Sequence, residues 1–211
     1  MTESVPAKIK MSKARIESFS DGVFSIVLTL LVFNFQVPKL SGPNFDHELY
    51  RKLVAMYPYL ITYILSFVLI SMYWVAHHNM FHHLKYANNW LLGLNSLFLL
   101  FLALTPFPTQ VLGAYPTTES AAIFFGIAMV CTSLSFSLLR YYAFFRGRLQ
   151  EDFVNREAMR NGLVKNIVGA VLYIVAISIS AYSENITLSM YALIPFLFFV
   201  PLNIKRKGKK A

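Results

Sequence analysis

Residues 15–37 read R-I-E-S-F-S-D-G-V-F-S-I-V-L-T-L-L-V-F-N-F-Q-V, and how this stretch is read decides the fold class. Its length suits a helix that crosses a hydrocarbon core of about 30 Å at about 1.5 Å per residue. Yet Ser18, Ser20, Asp21, Ser25 and Thr29 lie inside it. A carboxylate in a spanning helix costs at least about 2.5 kcal/mol, so by default it marks an ion path or a partnered functional group. Projected at about 100° per residue, Ile26, Leu30 and Phe33 share one face, and Ser18, Gly22, Ser25, Thr29 and Gln36 form a small, polar stripe beside it. Asp21 lies roughly opposite Ile26, in a direction that meets a neighbouring helix. Two readings of the flank stay open. Ser18/Gly22 and Ser25/Thr29 are small-residue packing sites with Ile26 facing lipid, or the flank lines a path.

Working outward, 56% apolar residues, 14% charged residues and a mean hydropathy of +0.53 place the chain among polytopic, all-α membrane proteins. Six transmembrane helices are expected, at about 16–37, 53–81, 90–111, 121–142, 163–182 and 186–202, in one domain that ends in a basic tail, 203–211. The first apolar run lacks a small-residue cleavage site and is read as retained. Pro38, Gly42-Pro43, Pro106, Pro108 and Pro116 read as turn signals between spans. The second segment is too long for one perpendicular span, so an interfacial start and a kink near Pro58 are expected. With both termini on one side, that side collects 16 of the 19 Lys and Arg, which puts the N- and C-termini in the cytoplasm.

The connector 140–161, with five Arg, reads as a solvated linker that includes a short amphipathic helix. The tail sequence K-R-K-G-K-K follows directly on the last span, where anionic inner-leaflet lipids attract such clusters; nucleic acid is not the expected partner. Cys131 is the only cysteine, which excludes an intrachain disulfide. The chain contains no internal repeat.

His77, His78, His82 and His83 form H-H-x-x-x-H-H, and His78 with His82 could share a metal on one helix face. The set is too small for a di-metal oxygenase, and the chain has no HExxH, no Ser-His-Asp order and no CxxC, so no enzyme, bound metal or cofactor is expected. A structural use fits better: Trp74 and His77, at i and i+3, are donors for the Asp21 carboxylate. The alternative is a proton-coupled secondary transporter that uses Asp21 or Glu17. Against it stand the absence of an inverted repeat and of paired broken helices.

The first stretch resembles the helix signature R-x-x-x-F-S-D of the transmembrane protein 175 family of potassium channels, through Arg15, Phe19, Ser20 and Asp21. Y-W-V-A-H-H-N-M-F at 73–81 and N-S-L-F-L-L-F-L-A-L-T-P-F-P-T at 95–109 also resemble prokaryotic members. The resemblance implies a homotetramer in the cell membrane, with four first helices around a central pore that passes potassium. It implies a hydrophobic gate at Ile26, Leu30 and Phe33, Phe33 being bulkier than the aliphatic residue expected there, and a weakly selective layer at Thr29. It further implies an interhelical network of Arg15, Phe19, Ser20, Asp21, Trp74 and His77 that holds the pore helix. No TVGYG-like loop is present, so a carbonyl selectivity filter is not expected.

Overall fold

The computed structural model describes residues 12–152 and 154–198. Ser12 opens helix α1 (Lys13–Leu30): its hydroxyl accepts the Arg15 N–H and satisfies one of the donors a helix start leaves unpaired. The helix tightens into a 3-10 turn, Leu31–Asn34. After an irregular segment, Asn44 caps α2 (Phe45–Ala55), which carries Asp46 and Glu48 in its first turn, where the helix dipole favours anions. None of its residues is fully buried, which suits a helix lying at an interface.

Helix α3 (Tyr57–His82) starts immediately after Met56, with Pro58 in its first turn. Proline is well placed there because the N–H it lacks has no intrahelical acceptor. The long second segment is therefore two helices, and Pro58 starts a helix where the sequence suggested a kink. Asn88 caps α4 (Asn89–Leu104), and α5 (Pro106–Ala114) continues the same span after a break at Thr105. Pro106 and Pro108 thus lie inside the third span and not in a connector. The break is bridged in part by the Thr105 N–H, which donates to the Leu102 carbonyl at 3.1 Å, and α5 is tied to α3 by Thr109 Oγ1, which meets Ser66 Oγ at 2.7 Å.

Helix α6 (Glu119–Tyr141) runs into a π-helical turn, Tyr142–Arg146, and Arg148 follows in the left-handed region at φ 50°. Arg140 belongs to α6 and not to a solvated linker, and the connector contains no separate amphipathic helix among its described residues. Asn155 caps α7 (Arg156–Ser180), and Ser183 caps α8 (Glu184–Leu193), which passes into a 3-10 turn, Ile194–Phe198. Among the described residues five stretches are long and apolar enough to cross a membrane: Lys13–Asn34, Tyr57–His82, Asn89–Ala114, Glu119–Arg146 and Arg156–Ser180. The start of the expected sixth span is α8 and its 3-10 turn, whereas residues 199–202 and the basic tail lie outside the described residues.

The fourth span is the centre of the bundle: 61% of its apolar stretch is buried, against 28–33% in the other four. It packs against α4, α5 and α7. Gly126 allows the closest approach, since a Cβ there would overlap Tyr191 Oη and come within 2.5 Å of Ile177 Cγ1. Tyr191 Oη in turn donates to the Ala122 carbonyl at 2.9 Å. In lipid such contacts act through close packing and polar pairing, because the surrounding tails are as apolar as the side chains. At one end of the bundle the loops are tied by main-chain bonds, Lys85 N to Leu149 O at 2.8 Å and Glu151 N to His83 O at 3.0 Å. Lys13 Nζ donates to Leu84 O at 2.8 Å and anchors the start of α1 there.

Candidate functional site

Helix α1 packs against α3 and α4 through Ile16, Ser20, Phe24 and Val27, all buried. Its other side is exposed in the protomer: Ile26 is 59% exposed, Leu30 42% and Phe33 72%, and Ser18, Gly22, Ser25 and Thr29 are exposed with them. Thr29 Oγ1 donates to the Ile26 carbonyl at 2.8 Å and Ser25 Oγ to the Asp21 carbonyl at 2.9 Å. Each hydroxyl hydrogen is therefore used within the helix, and what the side chain presents outward is lone pairs.

The inward side carries a polar chain inside an apolar bundle. Ser20 Oγ donates to the Ile16 carbonyl at 2.8 Å and accepts Asn95 Nδ2 at 2.9 Å. Asn95 Oδ1 then faces His77 Nε2 at 2.8 Å, so the imidazole donates from Nε2. All three side chains are fully buried. His77 stacks on Phe81 with ring centroids 4.4 Å apart, and Phe24 meets it edge-on at 5.6 Å.

A second, more exposed group lies one turn outward. Trp74 Nε1 donates to Asp21 Oδ1 at 3.0 Å. His78 stacks on Trp74 and brings its Nδ1 to 3.5 Å from Glu17 Oε1.

The residues singled out in the sequence are therefore distributed over three places. Asp21 meets Trp74 directly. His77 turns away from Asp21 toward Asn95, because the turn from Trp74 to His77 aims it into the α3–α4 contact. Arg15 and Phe19 are exposed and join neither group in the protomer; at about 100° per residue they fall on the same side of α1 as Ile26 and Phe33. Asn95 is the residue that sequence reasoning missed. The signal was present, since an amide in the middle of the apolar run L-L-G-L-N-S-L-F-L-L needs a buried partner.

Among the described residues no three His, Cys, Asp or Glu come together as a metal site. A profile of the family described as "Endosomal/lysosomal potassium channel TMEM175" matches residues 15–106. A potassium channel of Streptomyces collinus is 31% identical over 188 residues, which cover 87% of this chain and 90% of that protein. The chain belongs to the TMEM175 family. A crystal structure of a lysosomal potassium-selective channel TMEM175 homolog from Chamaesiphon minutus superposes with a TM-score of 0.77 at 27% identity, over 89% of this chain and 96% of that one. The human endosomal/lysosomal proton channel TMEM175 is 36% identical over 110 residues, half of this chain and 22% of that protein. The TMEM175 profile begins at Arg15 and closes at Pro106, so the matched segment holds Ser20, Asp21, Trp74, His77 and Asn95 together with the exposed side of α1.

Proposed function

We propose that this TMEM175 member is a potassium-permeable cation channel of the cell membrane, a homotetramer in which four copies of α1 line the pore. The exposed flank of α1 carries the reading. It joins Ser18, Gly22, Ser25 and Thr29 to Ile26, Leu30 and Phe33, and a helix face with that many polar groups is poorly suited to lipid. The interior of the protomer is filled by side chains such as Phe98, Phe136 and Leu102, so a water path needs a surface shared between chains. Closed rotational symmetry of identical chains makes such a surface.

In this arrangement Ile26 is the main hydrophobic gate, closing by dewetting when narrow and conducting when slightly dilated. Leu30 and Phe33 form further constrictions. Thr29 offers oxygen lone pairs to a passing cation and gives a modest preference for potassium over sodium. The Ser20–Asn95–His77 chain and the Asp21–Trp74 bond hold α1 in register, with Arg15 and Phe19 meeting neighbouring subunits. The basic tail binds anionic lipid of the inner leaflet, and the protein needs no cofactor.

The test is single-channel recording of the purified protein in planar bilayers, first with potassium on both sides and then with potassium on one side and sodium on the other. Unitary currents far above carrier turnover, with potassium preferred over sodium, are the expected result. A slow flux driven by a proton gradient and abolished by Asp21→Asn would replace the channel with a proton-coupled transporter.

A further inference from the structure

One cationic group takes no part in the α1 assembly. Arg140, in the last turn of α6, is half-buried between α3, α6 and α7. Its Nη2 donates to the Ala76 carbonyl at 3.1 Å, and the guanidinium lies 5.1 Å from the Phe136 ring centroid. A Cβ at Gly162 would overlap its Nη1, so α7 comes close to the group at a glycine. Nε is sealed from solvent and has no acceptor, and no carboxylate among the described residues lies within ion-pair distance of the guanidinium. Lys165, within Coulombic reach, adds like charge. A cation so placed is costly unless a negative group completes it.

Next to it is a cavity of about 200 Å³ lined by Arg140, Asn79 and His83, with Met80, Phe144 and Met159 as its apolar walls. His83 Nδ1 donates to the Asn79 carbonyl at 2.6 Å, so Nε2 of the neutral ring is an acceptor and His83 forms part of the wall without donating into the cavity. The donors of the polar lining are thus a guanidinium and an amide, and the lining holds no carboxylate. That combination is chemically matched to an oxyanion, and the planar fork of arginine suits phosphate oxygens in particular.

We propose that this cavity binds a phosphate group, with Arg140 as its principal ligand and Asn79 as a supporting donor. The group comes either from the headgroup of an anionic lipid or from a soluble phosphate. Bound there, it joins the end of α3, the end of α6 and the first turns of α7, beside the Lys85–Leu149 and His83–Glu151 loop bonds.

The experiment uses the full chain, purified in detergent and stripped of lipid. In one arm inorganic phosphate is titrated against chloride at matched potassium and ionic strength. In the other, phosphatidylglycerol is compared with a phosphate-free glycolipid in mixed micelles. The thermal unfolding midpoint and the phosphorus retained per chain are read in both. A rise in midpoint with about one phosphorus per chain is expected in at least one arm, and the responding arm names the source. Arg140→Gln should weaken that binding about tenfold or more, and Arg140→Lys less. Asn79→Leu leaves the Ala76 bond intact and should weaken binding about threefold or more, so the test survives if Arg140→Gln fails to fold. No response in either arm, or a response of equal size in all the variants that fold, would overturn the site and leave Arg140 a purely structural staple.

Discussion

His77 and Asn95 meet between α3 and α4 with Nε2 and Oδ1 2.8 Å apart, and the other end of the same amide holds the Ser20 hydroxyl of α1 at 2.9 Å. One side chain therefore joins three spans. Replacing it by Leu leaves the buried His77 ring N–H without an acceptor, at about 1–3 kcal/mol, and takes one of its two hydrogen bonds from the Ser20 hydroxyl. Asn95→Leu should lower stability in detergent denaturation by about that amount or more. Ser20→Ala should cost less, because the Ser20 hydrogen goes to its own helix at Ile16. Ser96→Ala, one residue along and exposed, is the control. If Asn95→Leu is no more harmful than the control, the buried chain does not hold α1.

The Asp21–Trp74 bond is more exposed and should matter less. Trp74→Phe removes the donor and should cost about 0.5–1.5 kcal/mol, seen as weaker recovery of the proposed tetramer with the proposed cation preference unchanged. Asp21→Asn keeps an acceptor oxygen and should be milder. Normal assembly of Asp21→Asn with altered proton dependence alone would assign Asp21 to transport chemistry.

Side-chain direction on α1 gives the sharpest comparison. Ile26 is exposed, whereas Leu28 packs against the core beside Val27 and Leu31. Ile26→Asn should hydrate the narrow point and raise current. Leu28→Asn should instead cost stability, with no gain in conduction. Thr29→Val keeps the shape but removes the oxygen, so it should reduce the potassium-over-sodium preference more than total current. Reversal potentials and currents of the three variants in proteoliposomes decide the matter, and a gain confined to Leu28→Asn would rotate the pore face away from Ile26.

Gly126→Ala puts a methyl group into Tyr191 Oη and Ile177. Overpacking of this kind costs about 1–3 kcal/mol, and here it falls on the most buried span. The thermal midpoint should fall, and Tyr191→Phe in the same background should recover part of the loss by removing the clashing oxygen. Additive losses in the double variant would show that the two residues are not coupled.

Glu48 accepts from Lys52 Nζ at 2.6 Å and from the N–H groups of Gly42 at 2.8 Å and Ser41 at 3.1 Å. The Lys52 hydrogen bond first, then the two backbone N–H groups, hold its carboxyl down from the ordinary 4.5 to about 2. Because the folded value is the lower one, the docking of this loop on α2 is fully present above about pH 4.5 and is lost as the pH falls toward 2. Hydrogen exchange at the Ser41 and Gly42 amides should stay protected at pH 5 and accelerate, beyond the intrinsic pH trend, between pH 4.5 and 2. Glu48→Gln should flatten that dependence.

The membrane class, the first five apolar stretches and the motif of α1 were legible from sequence alone, because bilayer thickness and the 100° helical step act on each segment separately; the expected sixth span corresponds, among the described residues, to a shorter apolar helix and its 3-10 turn. The same step put Ile26, Leu30 and Phe33 on one side of α1, and they are exposed together in the fold. The partner of His77 was not legible. Whether it meets Asp21 or Asn95 depends on how α3 is rotated against α1 and α4, a choice made by the packing of Phe24, Phe81 and Phe98 around the ring. Pro106 likewise read as a turn signal, since its missing donor is visible in sequence, whereas the Thr109–Ser66 hydroxyl pair that ties α5 to α3 beside the break is not. Arg140 counted as one more loop cation until α6 carried it under Gly162 and against Phe136. Local rules govern where a helix starts and which of its residues share a side, whereas hydrogen-bond partners and sealed charges belong to pairs of helices, whose relative rotation and depth are set only when the whole bundle packs.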